Sequence, residues 1–341
     1  MAHQSLYRAY RPQSFSEVAG QEPIVSALEA ELRAKKVGHA YLFSGSRGLG
    51  KTSVARIFAK ELGVTEKDLY EIDAASHTGV DHIRALTENV YTLPFESPYK
   101  LYILDEAHML SKGAWNAFLK TLEEPPAHAV FVLATTELSK VPETVQSRCQ
   151  VFEFKKPSRE GLAKLVAMVA KKEGYALDAG VADLVAYLAD GSYRDALSTL
   201  ERVLAASKDK KISREEAERA TGAPKSALVL QLVSACSEGS TEKALAAIRK
   251  AAEGGADMAL FLALTLEAMR SVLLIRHAPE LRKELEGELG EEYGALSALA
   301  EDGASKLTHA TLCAFLDASS RLRYAPIPAL PLELAVLERY S

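Results

Sequence analysis

Cysteine is scarce in this chain, with three among 341 residues: Cys149, Cys236 and Cys313, far apart and never in a Cys-x-x-Cys spacing. That excludes a disulfide framework and a thiolate zinc cluster, and it suits a reducing compartment. Long uninterrupted apolar runs are missing too. The most apolar stretch, Met258 to Ile275, carries Glu267 and Arg270 and reads as a core helix rather than a membrane span. No signal-peptide pattern stands at the start, so a cytoplasmic location without membrane contact is expected. There is no internal repeat and no low-complexity segment. The net charge of −5 argues weakly against a nucleic-acid partner, yet it hides an asymmetry: residues 1–60 carry +5 and the remainder −10. A basic N-terminal part can face polyphosphate or DNA while the rest faces proteins, although ordinary scatter of surface charge gives the same count.

What is present is concentrated in the first half. Residues 45–52 read Gly45-Ser46-Arg47-Gly48-Leu49-Gly50-Lys51-Thr52, the G-x-x-x-x-G-K-[ST] pattern of a P-loop. Glycines at 45, 48 and 50 let the backbone curl so that successive N–H groups point at phosphate oxygens. Lys51 is expected to reach the β and γ phosphates of ATP, and the Thr52 hydroxyl to ligate magnesium. The flanks fit: Tyr41-Leu42-Phe43 reads as a strand, and Val54, Ile57, Phe58 and Leu62 recur at helical spacing. A strand, a glycine loop and a helix N-terminus together make an anion site.

About fifty residues on, Leu101 to Leu104 is a second apolar strand ending in Asp105-Glu106. Asp105 then emerges beside the P-loop to hold magnesium directly or through water, and Glu106 is placed to activate the attacking water. Further strands are expected at Tyr70–Ile72, Val130–Leu133 and Val151–Phe154. Their alternation with amphipathic helices predicts an α/β fold, a parallel sheet with helices on both faces and the site at the carboxyl ends of the strands. Beyond Pro157 helices take over. A compact helical unit is expected over 157–222, its last helix opened by a capping box at Ser213 to Glu216, and an all-helical region over 223–341. Pro224 and Lys225 mark the linker between them.

Asp105-Glu106-Ala107-His108 also spells the box of DEAH-type helicases. Such helicases need a second ATPase-type domain, for which the helical C-terminal half leaves no room. A structural subunit that binds nucleotide without turnover is the other alternative.

Further segments carry a family resemblance. Tyr7-Arg8-Ala9-Tyr10-Arg11-Pro12 with Phe15 and Val18 to Gln21, then Glu71 to Ser76, Leu119 to Pro126, Ala134 to Thr136, Ser147-Arg148-Cys149 and Gly191 to Leu197 together resemble the gamma/tau ATPase subunits of bacterial DNA polymerase III clamp loaders, members of the AAA+ class. The resemblance is dense over about residues 5–200 and architectural afterwards. It implies an AAA+ domain over 1–156, a helical lid over 157–222 and an oligomerising collar over 223–341. It implies that Tyr7, Arg11, Pro12 and Val18 join the P-loop in binding nucleotide. It also implies that Arg148 is an arginine finger for a neighbouring subunit's ATP, that Arg194 is a sensor touching the γ-phosphate in cis, and that Thr136, with Thr135 as the one-residue alternative, is the polar sensor near the attacking water. Lys120 and Thr144 are expected on the DNA backbone, and Tyr91, Leu93 and Phe95 on the sliding clamp, with core packing of that loop and pairing of Lys120 with Glu123 or Glu124 as the competing readings. The implied partners are further copies of the chain, delta-type and delta-prime-type subunits, the clamp and primer-template DNA. One departure stands out. Relatives usually insert a four-cysteine zinc module after the P-loop helix, whereas here only Leu62 to Leu69 lies between that helix and the next strand. ATP and magnesium without structural zinc are therefore expected.

Overall fold

A computed structural model describes residues 4–76, 79–207, 209–289 and 292–340. The chain divides into two compact units, one of Met1–Leu165 with Ala186–Ser198, the other of Val166–Val185 with Thr199–Ser341. Ser341, where the helical region was expected to end, lies outside the described residues.

The first unit is built on five parallel strands, β1 Ala40–Ser44, β2 Leu69–Asp73, β3 Lys100–Asp105, β4 Ala129–Thr135 and β5 Gln150–Glu153, in the spatial order β2-β3-β4-β1-β5. The three central strands are apolar on both faces because both faces are covered. Side chains alternate across the sheet: Leu42, Tyr102, Leu104, Phe131 and Leu133 pack on one side with Ile83, Leu86, Trp115 and Phe118 of helices Val80–Val90 and Lys112–Glu123. Tyr41, Phe43, Leu101, Ile103, Val130 and Val132 pack on the other with Ile24, Leu28, Val54 and Phe58 of helices Glu22–Ala34 and Lys51–Glu61. All five strands fall where the sequence predicts them, each within two residues at either end.

The second unit is helical. Ser213 accepts from the Glu216 N–H while the Glu216 side chain accepts from the Ser213 N–H, the reciprocal cap expected at helix Arg214–Thr221. A two-residue parallel ribbon, β6 Ala176–Leu177 with β7 Lys211–Ile212, interrupts the helices where none was expected. Its strands are too short to register as periodicity in sequence. Helix Met258–His277 is long and apolar enough to cross a membrane by length and composition; half of that stretch is buried, with Phe261, Met269, Val272 and Ile275 packed against Val233, Leu296 and Phe315 in one core. Arg276 on this helix donates to the carbonyls of Leu299, Ala300 and Leu307 at 2.8–3.0 Å, capping the C-terminal end of helix Tyr293–Glu301.

Candidate nucleotide site

Because the sheet is parallel, the C-terminal ends of β1, β3 and β4 open on one edge, with β4 between the other two. The glycine loop leaves β1 after Ser44 and enters helix Lys51–Glu61. Gly45, Gly48 and Gly50 have φ of +139°, +78° and +92°, where a side chain is strained. Space is also short: a side chain on Gly48 would collide with the Ser192 hydroxyl, and one on Gly45 would come within 2.6 Å of the Phe154 carbonyl. Leu49 anchors the loop in the core, while Ser46 and Arg47 are exposed.

Lys51 is 6% exposed, its ammonium donating to the carbonyls of Gly45 (2.6 Å) and Ser46 (2.8 Å), so the charge sits over the loop. Burial lowers its pKa, opposed by the nearby charges of Glu106 and Asp105. The Thr52 hydroxyl donates to Asp105 Oδ2 at 2.8 Å. A hydroxyl and a carboxylate side by side are the hard oxygen donors that magnesium takes, and a buried ammonium on a glycine loop at a helix N-terminus suits a polyphosphate, so these residues fit both groups.

At the end of β3 the backbone of Glu106 turns left-handed (φ 48°) and its N–H donates to Asp105 Oδ1 at 3.0 Å. That conformation is uncommon for a residue with a Cβ and swings the Glu106 carboxylate toward the end of β4. There Thr136 donates its hydroxyl to Glu106 Oε2 at 3.1 Å. Thr135 is fully buried and meets His108 Nδ1 at 3.1 Å instead, its hydroxyl also accepting the Glu137 N–H. His108, nearly buried, lies 3.5 Å from Glu106 Oε2 on one side and 3.5 Å from Glu137 Oε1 on the other. Sequence reasoning met His108 only as a letter of the helicase box; its position on the 3-10 turn Ala107–Met109, two residues past Glu106, is the signal that it faces the same edge.

The N-terminal box and helix Tyr193–Ala206 meet the same loop. The Tyr193 N–H donates to the Gly48 carbonyl at 3.1 Å and its hydroxyl to the Ala19 carbonyl at 2.7 Å. The Arg194 guanidinium lies 4.8 Å from the centre of the Tyr7 ring. Arg11 donates to Ser53 on the P-loop helix at 2.9 Å; Pro12 is half-buried, and Val18 packs on the core beneath that helix. Sequence reasoning gave Tyr193 and Ser53 no role.

Six other expected positions stand apart from this bonded set. Arg148 donates to the Thr144 carbonyl and to Glu123 Oε1, each at 2.6 Å. Thr144 is exposed on the four-residue helix Glu143–Gln146. Lys120 is exposed, and among the described residues no ion pair reaches it, Glu123 being engaged by Arg148. Tyr91, Leu93 and Phe95 are 58, 80 and 75% exposed, so their loop is not core packing.

A family model described as the delta subunit of DNA polymerase III matches residues 20–71 and 63–158, and one described as domain III of the gamma and tau subunits matches 212–340. The gamma subunit of Buchnera aphidicola subsp. Schizaphis graminum is 35% identical, the alignment covering 84% of each chain. The chain belongs to the DNA polymerase III gamma/tau subunit family. Other family members include the tau subunits of Bacillus subtilis, 40% identical over 84% of this chain and 54% of that one, and of Escherichia coli, 38% identical over 82% and 46%. The chain thus spans about half the length of these longer gamma/tau relatives. Among solved structures, the Holliday junction branch migration motor RuvB of Thermotoga maritima superposes with a TM-score of 0.54 at 20% identity, covering 84% of this chain and 88% of that one. That likeness concerns the fold, AAA+, and agrees with the parallel sheet and helical C-terminal region of a gamma/tau chain.

Proposed function

We propose that this gamma/tau family member is an ATP-hydrolysing subunit of a replicative clamp loader, which opens the sliding clamp and loads it onto primer-template DNA. The observation that carries the reading is the bonded set Thr52–Asp105 and Glu106–Thr136 beside the Lys51 ammonium. In it a phosphate ligand, a magnesium ligand pair and a base held by a polar neighbour share one strand-end edge. Family membership favours this reading over a DEAH-type helicase and over a nucleotide-binding subunit without turnover.

The glycine-loop amides and Lys51 bind the phosphates of ATP, and Thr52 with Asp105 holds magnesium. Magnesium, when bound, supplies positive charge against the phosphate oxygens. Glu106 takes the proton of the attacking water, and Thr136 fixes the direction of its carboxylate. Tyr7, Arg11, Pro12 and Val18 border the nucleotide, and Arg194 leaves the Tyr7 ring for the γ-phosphate. Arg148 serves the neighbouring subunit's site. The reading keeps the three domains 1–156, 157–222 and 223–341, a cytoplasmic location and no structural zinc. It also keeps the partners: copies of this chain, delta-type and delta-prime-type subunits, the clamp at Tyr91, Leu93 and Phe95, and DNA at Lys120 and Thr144.

The test separates binding from chemistry. Lys51→Ala is expected to weaken ATP binding, whereas Glu106→Gln preserves binding and lowers turnover by two orders of magnitude or more, on the order of a general base's contribution. Equal loss of ATP affinity in both variants would sink the assignment of Glu106.

A further inference from the structure

The turn at Leu62 to Leu69, between the P-loop helix and β2, is tied to the exposed apolar loop. Asp68, on that turn, is fully buried. Its carboxylate accepts the backbone N–H groups of Phe95 (2.6 Å), Glu96 (2.9 Å) and Ser97 (2.9 Å). The Thr65 N–H donates to Ser97 Oγ at 2.9 Å, and Lys67 pairs with Glu96 at 2.8 Å while its ammonium lies 4.7 Å from the centre of the Phe95 ring. The other end of the loop is held by Lys100, 3% exposed. Its ammonium donates to the Asn89 carbonyl (3.1 Å), Asn89 Oδ1 (3.0 Å) and Thr92 Oγ1 (2.6 Å), at the C-terminal end of helix Val80–Val90. The Leu101 N–H donates to the Asp68 carbonyl, which sets the two residues at the starts of adjacent strands.

Burying a carboxylate and an ammonium is costly unless their hydrogen bonds are made, and here those bonds go to the two ends of one loop. Leu93 lies between the ends and Phe95 at the Asp68 end, four-fifths and three-quarters exposed, and a loop free to collapse would hide both. A loop fixed with its apolar side chains outward loses little entropy on docking.

We propose that Asp68 and Lys100 are positioning residues that pin the Tyr91–Ser97 loop, so that Leu93 and Phe95 are presented already ordered to an apolar pocket on the sliding clamp. This rests on the clamp reading of that loop. Asp68 is the sharper probe because Asn is its isostere: with three N–H donors aimed at two oxygens, the amide NH2 of Asn must oppose at least one of them.

The experiment uses the full-length chain and the purified sliding clamp of the same organism. Clamp affinity is measured for Asp68→Asn, for Leu93→Ala with Phe95→Ala, and for all three changes together, with amide exchange of Phe95, Glu96 and Ser97 followed in parallel. Asp68→Asn is expected to lower affinity about ten- to a hundredfold, the cost of ordering two or three side chains on binding. The triple variant is expected to be no weaker than the Leu93/Phe95 variant, because both act through one loop. Lys100→Met, acting on the other end, is expected to behave as Asp68→Asn does. Unchanged affinity in the Leu93/Phe95 variant overturns the clamp reading and the inference with it. Loss there combined with wild-type affinity in Asp68→Asn, or fully additive losses in the triple variant, overturns the inference alone. If Asp68→Asn does not fold, exchange in the wild type decides: slow amides at Phe95, Glu96 and Ser97 support a pinned loop, and exchange as fast as at Leu93 overturns it.

Discussion

The neighbouring threonines at the end of β4 have different partners. Thr136 reaches Glu106, whereas Thr135 is buried against His108. Thr136→Val is therefore expected to lower turnover on the order of ten- to a hundredfold at little cost in ATP affinity. Thr135→Val instead removes the 3.1 Å partner of His108 Nδ1 and the acceptor of the Glu137 N–H and lowers the melting temperature, corresponding to about 1–3 kcal/mol for polar groups left poorly paired. Single-turnover kinetics and thermal melting on the two variants check this, and a larger kinetic defect in Thr135→Val would reverse the assignment. Asp68 gives the residue scale a pH signature. Burial pushes its pKa up, but the hydrogen bonds from Glu96, Phe95 and Ser97 outweigh it and hold the group down at about 2, against an ordinary 3.8. A depressed carboxylate contributes stability that is complete above the unfolded value and is lost as pH falls toward the folded one. Asp68→Asn should therefore flatten the fall in melting temperature between about pH 4 and pH 2, and an unchanged acid limb would show that those bonds do not matter for folding.

At the scale of elements, short pieces carry the groups that face outward. Helix Glu143–Gln146 leads into Arg148, which Glu123 holds from the end of helix Lys112–Glu123. Both partners are partly exposed, and such a pair is worth about 0–1 kcal/mol, so a phosphate group can displace Glu123 cheaply. If Arg148 acts in trans, assemblies mixing Arg148→Ala with Lys51→Ala subunits should keep some active sites, since an intact finger still meets an intact P-loop. Complete loss in mixtures shown to assemble would favour a role within the chain. Lys120, on the same helix as Glu123, is exposed and has no ion-pair partner among the described residues. Lys120→Ala should reduce the slope of log K for DNA against log salt by about one, the share of one phosphate contact, and an unchanged slope would show that this face does not meet DNA. The three central strands of the first unit were legible because each runs apolar between turn residues, while β2 and β5, which carry Glu71 and Glu153, were legible as short runs rich in β-formers. The ribbon β6–β7 was not, since two residues carry no period. The grouping of Lys51, Thr52, Asp105 and Glu106 was expected from motif spacing, whereas Thr136 came only from the family resemblance. The grip of Asp68 on a loop 27 to 29 residues further along did not, because only folding brings the turn before β2 against the approach to β3.

At the scale of the whole chain, the metal requirement is the broadest prediction. With a cysteine-free turn at Leu62 to Leu69 and oxygen donors at Thr52 and Asp105, chelation is expected to stop turnover and magnesium alone to restore it, with no fall in melting temperature. Unfolding on chelation, or stoichiometric zinc in the purified protein, would reverse that. The strand order has a further consequence, for synthesis. β2 and β3 are neighbours separated by one helix and can pair early, but β1 finds its partners only at Phe131–Thr135 and Gln150–Glu153. The ribosome adds about 5–20 residues per second, so the glycine loop waits roughly 5–20 s between leaving the tunnel and gaining the walls that shape it. Through that interval its apolar strand is an unpaired edge open to chaperones, and a nucleotide bound at the proposed site would assist folding only after β4 and β5 have been made.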